Sequence, residues 1–163
     1  MTPSNTMQVV LFALNNVLYG VDVYQVREIR KVQDITPVPY APPHVKGVTN
    51  LRGEVIPVID LGKCFKIKSG EPLGERKDRG KIMIIVQNKS TVGITVDSVQ
   101  EVLEIPKEDI ESTPKIMQTE DSDCILGVAK YGETLVILID LLKAISKKEI
   151  EFMNTKEGAQ LRI

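Results

Sequence analysis

The chain repeats itself. Sliding it by 73 residues lays Asn15, Gly20, Val23, Val26 and Glu28 over Asn88, Gly93, Val96, Val99 and Glu101. Sliding it by 80 lays Gly47, Val48, Ile59, Asp60, Leu61 and Lys63 over Gly127, Val128, Ile139, Asp140, Leu141 and Lys143. Between these blocks the unmatched positions swap like for like, as in Val55 with Leu135 and Phe65 with Ile145. The slip of 7 residues between the offsets falls on the polar run Gln118–Asp123, which reads as a longer surface loop. Each copy spans about 70 residues, a size that buries too little of its unfolded surface to be stable alone. The two copies are therefore expected to pack as one cooperative body.

Period-2 patterning rich in Val and Ile predicts strands over Gln8–Asn15, Val17–Val21, Val45–Thr49, Glu54–Ile59, Lys81–Gln87, Thr91–Val96, Ile125–Val128 and Glu133–Ile139. Short helices are predicted after four acidic caps: Asp22 before Val23, Val26 and Ile29; Asp60 before Leu61–Phe65; Asp97 before Val99 and Val102; Asp140 before Leu141–Ile145. Many short strands with turns between them favour closed barrels, because closure removes exposed edges. The expected organisation is a first copy over residues 8–76, whose first strand can be contributed to the other copy, a second copy over 81–150, and a tail over 151–163. Glycines and alternating charges mark Lys68–Lys81 as the linker.

Several kinds of chemistry lack their residues. His44 is the single histidine, so no histidine dyad or triad can be built. With Cys64 and Cys124 it has none of the paired spacing of a zinc site, and the two cysteines read as reduced thiols. No glycine-rich loop ends in Gly-Lys-Ser/Thr. The cluster Glu120, Asp121 and Asp123 has no apolar shielding to raise a carboxyl pKa and reads as a hydrated loop. Lys plus Arg number 21 against 22 Asp plus Glu, leaving no field of one sign for nucleic acid or a membrane face. No apolar run is long enough to span a bilayer, and Met1–Met7 lacks the layout of a secretory signal, so a cytoplasmic protein is expected.

A duplicated scaffold is its own control: what both copies share is fold, and what one copy holds alone is a candidate site. Gly47 with Gly127 and Asp60 with Asp140 are shared and count as structural. In contrast, Asn50-Leu51-Arg52-Gly53 faces Lys130-Tyr131-Gly132-Glu133, so Arg52 belongs to the first copy alone. Its planar fork of donors, in a turn beside Gly53, suits either bracing its own backbone or reaching a partner's carboxylates and carbonyls. Glu28 is read as lying on the exposed side of the short helix after Asp22, and its counterpart Glu101 argues partly for a structural role.

Gly20-Val21-Asp22, Val26-Arg27-Glu28-Ile29, Lys46-Gly47-Val48-Thr49-Asn50-Leu51-Arg52-Gly53 and Val55-Ile56-Pro57-Val58-Ile59-Asp60-Leu61 together resemble the CheW family of chemotaxis coupling proteins, over about Gln8 to Ile150. The resemblance implies a mostly β fold, two small five-stranded SH3-like β-barrels packed on a shared core with short helices. It implies no catalysis, no cofactor and no metal. The implied partners are the cytoplasmic hairpin tip of a methyl-accepting chemoreceptor and the regulatory domain of a chemotaxis histidine kinase, with no nucleic acid and no membrane insertion. The implied location is the cytoplasm, at membrane-associated receptor arrays. Carried over by position, the receptor-facing groove falls on Val26, Glu28, Lys46, Asn50, Arg52 and Val55, with Gly47 and Gly53 supporting the backbone. The kinase contact is implied on apolar strand positions of the second copy. The rival expectation is a ligand- or metal-binding β-barrel outside chemotaxis, either an enzyme using the Asp121 and Asp123 loop with a metal or a ligand- or oligonucleotide-binding barrel; low aromatic content, 4%, counts against the latter.

Overall fold

The structure is a computed structural model that describes residues 5–32, 34–65, 80–87, 89–114 and 123–146. Most of the expected linker, residues 68–79, the 118–122 part of the acidic loop and the tail beyond residue 146 lie outside the described residues. The strands are β1 (Thr6–Leu14), β2 (Val17–Asp22), β3 (Glu28–Lys31), β4 (Val45–Leu51), β5 (Glu54–Asp60), β6 (Lys81–Gln87), β7 (Ser90–Val96), β8 (Ser98–Pro106), β9 (Ile110–Glu111), β10 (Ile125–Tyr131) and β11 (Thr134–Ile139). Helix α1 is Leu61–Cys64, and α2 covers 141–146 of the described residues.

Two of the four acidic caps start α-helices as expected. Asp60 accepts the Lys63 amide and Asp140 the Lys143 amide, satisfying first-turn donors that have no partner within the helix. The other two do not. After Asp22 only a single 3-10 turn forms, Val23–Gln25, with the Tyr24 amide donating to the Asp22 carboxylate; Glu28 then opens strand β3. After Asp97 the chain runs straight into β8, and the Asp97 carboxylate accepts the Asn15 amide in the β1–β2 turn. Valines three residues apart fit a helix, but pairing decides: β8 lies antiparallel to β1 from Thr6↔Pro106 to Ala13↔Ser98, and β3 lies antiparallel to β6. Tertiary pairing overrides so weak a local preference.

One sheet has the order β8-β1-β2-β11-β10-β9 and the other β3-β6-β7-β5-β4. Each sheet thus combines the leading hairpin of one sequence copy with the remaining strands of the other, and the sheets are cut differently from the repeats. Each sheet has two seams between the copies, an antiparallel one, β1 on β8 or β6 on β3, and a parallel one, β2 on β11 or β7 on β5. Both sheets close. Thr36 bridges Val48 through two backbone hydrogen bonds, joining the continuation of β3 to β4. Glu111 pairs with Val128, joining β9, the continuation of β8, to β10. Counting β8 and β9 as one bent strand, each closed sheet has five, the SH3-like pair of barrels.

Hydrophobic packing follows from this exchange. Strands β1 and β6 are apolar on both faces because each face meets a different core. Val9 and Leu11 point into one barrel with Ile105, Val136 and Leu138, and Ile82 and Ile84 point into the other with Leu51 and Ile56. The alternate residues Val10, Phe12, Leu14, Met83 and Ile85 meet between the barrels with Tyr19, Ile59, Leu61, Ile94, Ile139, Leu141 and Ile145. Phe12 and Tyr19 stack there with centroids 5.7 Å apart. Cys64 belongs to this shared core, and Cys124 is likewise a buried thiol.

Barrel closure explains the shared glycines. Gly47 has φ +150° and a Cβ there would lie 2.1 Å from the Thr36 carbonyl oxygen; Gly127 has φ +156° and a Cβ would lie 2.6 Å from that of Glu111. Each sits at a bulge in its strand, where the closing segment crosses. Gly47→Ala should lower unfolding free energy in urea by more than the about 1–3 kcal/mol of an unfavourable backbone conformation, because the Thr36 bridge must also shift. Gly53→Ala, at φ +87° with nothing within 4 Å of its Cβ, should cost only the conformational part. Equal losses would contradict this role for Gly47.

Candidate protein-interaction site

The β4–β5 hairpin turns through Arg52 and Gly53, with Leu51 opposite Glu54. Both turn residues have positive φ, 50° at Arg52 and 87° at Gly53. Such a two-residue turn favours Gly, Asn or Asp at both places. In the second barrel Gly132 stands at the position equivalent to Arg52 with φ 63°, and Glu133, in the place of Gly53, is not among the residues with positive φ, so only the first turn place is left-handed there. Arg52 shares this left-handed backbone with Lys89 in the β6–β7 turn, at φ 67°, so its side-chain contacts are what set it apart.

The Arg52 guanidinium grips Glu28 through both carboxylate oxygens, Nη2 to Oε2 at 2.6 Å and Nη1 to Oε1 at 3.3 Å. Arg30 donates to the same carboxylate at 3.3 Å. Glu28 lies opposite Ile84 and Arg30 opposite Ile82, so both side chains leave the sheet on the face of the interior isoleucines. The three charges therefore roof one end of the first barrel. Side-chain exposure falls from 63% at Arg52 to 34% at Arg30 and 26% at Glu28. Arg52 is thus the member a partner can still reach.

The second barrel has the same clamp in other chemistry. Glu101, equivalent to Glu28, accepts a hydrogen bond from the Tyr131 hydroxyl at the β10–β11 turn. The bond to Glu101 raises the Tyr131 pKa, helped by the carboxylate charge and by desolvation. Bracing a glutamate from the hairpin is therefore common to both copies; the first does it with an exposed cation, whereas the exposed Lys130 of the second stands in the place of Asn50. Of the two sequence readings of Arg52, the bracing one takes the form of an ion pair with Glu28 rather than a bond to its own backbone.

The remaining positions divide. Asn50 lies opposite Val55 on the outward face of the hairpin, and its Oδ1 accepts the Gly53 amide, so Asn50 also shapes the turn. Val55 is 67% exposed. Lys46 is exposed but stands at the far end of β4, about 20 Å along the strand from Arg52 at roughly 3.3 Å per residue. Val26 packs partly against the shared core. The structure therefore gathers Glu28, Asn50, Arg52, Gly53 and Val55, with Lys46 and Val26 set apart and Gly47 buried at the bulge. Arg30 was not among the residues read from sequence. Its signal, a period of two from Glu28, is visible only when this segment is read as a strand. Among the described residues no group of three or more His, Cys, Asp and Glu could hold a metal, and no helix is long and apolar enough to cross a membrane.

The Arg52 hydrogen bond holds the Glu28 carboxyl below the usual glutamate range against an opposing desolvation, with the charges of Arg52 and Arg30 adding to it. A carboxylate with a depressed folded-state pKa contributes stability above its unfolded value and loses that contribution as pH falls through the folded one. Carboxyl NMR should place the Glu28 midpoint below ordinary glutamate, and Arg52→Gly should move it upward. The same variant should unfold thermally close to wild type, because glycine relieves the turn while the ion pair is lost. An unmoved Glu28 midpoint would contradict the clamp.

Comparison with known proteins agrees with this architecture. The family model for the CheW-like domain matches residues 8–149. The chemotaxis protein CheW of Treponema pallidum is 36% identical over 144 residues, covering 88% of this chain and 85% of that protein. CheW of Klebsiella aerogenes is 34% identical over 145 residues, covering 88% and 84%. The crystal structure of the scaffolding protein TtCheW from Thermoanaerobacter tengcongensis superposes with a TM-score of 0.73 at 35% identity, covering 85% of this chain and 86% of that one. With the family match spanning both barrels, the chain belongs to the CheW family of chemotaxis proteins.

Proposed function

We propose that this chain, a chemotaxis adaptor by family, bridges the cytoplasmic hairpin tip of a chemoreceptor to the regulatory domain of a histidine kinase, in the cytoplasm at receptor arrays. The single observation that carries the receptor side is Arg52, exposed, strained and replaced by glycine in the scaffold's other copy. Around it the outward hairpin face offers Asn50 and Val55, a polar–apolar strip of the kind that receives a helix pair. Supporting the kinase side, the equivalent face of the second barrel is more apolar. Leu126 and Leu135, 47% and 56% exposed, replace Lys46 and Val55. One scaffold used twice thus carries two differently decorated faces.

An adaptor transmits signal by favouring one arrangement of its partners over another, with couplings of about 1–3 kcal/mol. Small, reversible contacts repeated in an array supply the remaining affinity. Binding measured separately to a receptor tip fragment and to the kinase regulatory domain tests the division of labour. Arg52→Gly should weaken receptor binding at least about fivefold and leave kinase binding unchanged. Leu135→Glu should do the reverse, by about tenfold, as loss of a buried apolar anchor does. Undiminished receptor binding by correctly folded Arg52→Gly would refute the receptor assignment.

A further inference from the structure

We propose that Gln25 is a positioning residue that sets the receptor face of the first barrel against the second barrel, an inference that rests on the receptor assignment above. The turn Val23–Gln25 is the strap by which the chain leaves β2 in one sheet and enters β3 in the other. Directly after it come Val26 and Glu28. The strap is tied to its destination by the Arg27 amide, which donates to the Ile84 carbonyl at 2.7 Å.

Gln25 ties it to the other barrel. Its side-chain amide Nε2 donates to Asp140 Oδ1 at 3.0 Å, and its Oε1 accepts the Leu141 amide at 2.8 Å. Asp140 is the cap of α2, and its Oδ1 also takes the Lys143 amide at 3.0 Å. One planar amide therefore completes the start of α2, satisfying a helix donor while holding the cap. The residues joined are 115 and 116 apart in sequence, and both bonds are partly buried.

The link breaks the pseudo-symmetry, as Arg52 does. At the position equivalent to Gln25 the second copy has Ser98, within β8. Its strap is fixed instead by Asp97, which receives the Asn15 amide. Among the described residues Asp60, the cap of α1, accepts the Lys63 amide with no glutamine beside it. Of the two described straps, the one that leads to Glu28 alone carries a glutamine tie to a helix start, while Gln87 of β6 fixes the next residue of α2 by donating to the Leu142 carbonyl at 2.9 Å. Holding that strap in one place spares the receptor the cost of ordering it on binding.

Charge exchange across the link tests this in the full-length chain. Gln25→Glu sets two carboxylates face to face and should weaken binding of the receptor tip fragment by about 3- to 10-fold, the worth of one or two hydrogen bonds. Adding Asp140→Asn lets the new amide donate to the new carboxylate and should return affinity to within about twofold of wild type. Binding of the kinase regulatory domain should stay unchanged in both, which a general loss of folding would not allow. Arg52→Gly, measured alongside, reports on the receptor face itself. If Arg52→Gly loses binding and Gln25→Glu does not, the positioning role is wrong and the face stands. If neither loses binding, both are wrong. A loss in Gln25→Glu that Asp140→Asn fails to restore also overturns the role.

Discussion

Everything in this molecule depends on two strands that have no solvent side. Because β1 and β6 each bury one face inside a barrel and the other between the barrels, neither barrel can form without a hairpin from the opposite half of the sequence. A five-stranded unit of this size is marginal by itself. Exchange of hairpins turns two marginal units into one cooperative body, and it leaves the outward faces of β4–β5 and β10–β11 out of the packing. Those faces are then available to differ.

How they differ is a matter of a few side chains on equivalent backbone. Both copies close their barrels at a glycine bulge and both brace a glutamate from the hairpin turn. The first copy does so with an arginine that stays largely exposed in a backbone conformation its counterpart leaves to glycine. The second does so with a tyrosine, and exposes Leu126 and Leu135 on the outward face of its hairpin. One frame thus carries two differently decorated hairpins, which is what the proposed bridging role requires.

The sequence carried much of this and lost the rest for definable reasons. Strand β6 was legible to the residue, since Lys81–Gln87 is a compact apolar run bounded by turn residues. Closed barrels could be inferred, and with them that the first strand can join the other copy, but not that each copy gives up its whole leading hairpin, because pairs such as Val58 with Gly93 are fixed by packing between halves. Asp22 caps a single 3-10 turn, but extending a helix from it to Ile29 and starting one after Asp97 failed, because an acidic residue before spaced valines looks alike before a helix and before a strand. That misreading hid Arg30. Arg52 was visible by comparison of the copies, whereas Gln25 gave no signal, its partner being 115 residues away and its counterpart a serine inside a strand.

The central claim is that one small frame holds two proteins at once. Sedimentation of receptor tip assemblies with the kinase regulatory domain, with and without this chain, measures it directly. The account predicts that the kinase domain enters the pellet in proportion to the chain added. A kinase domain that pellets equally without the chain, or that competes with the receptor for it, would contradict the account.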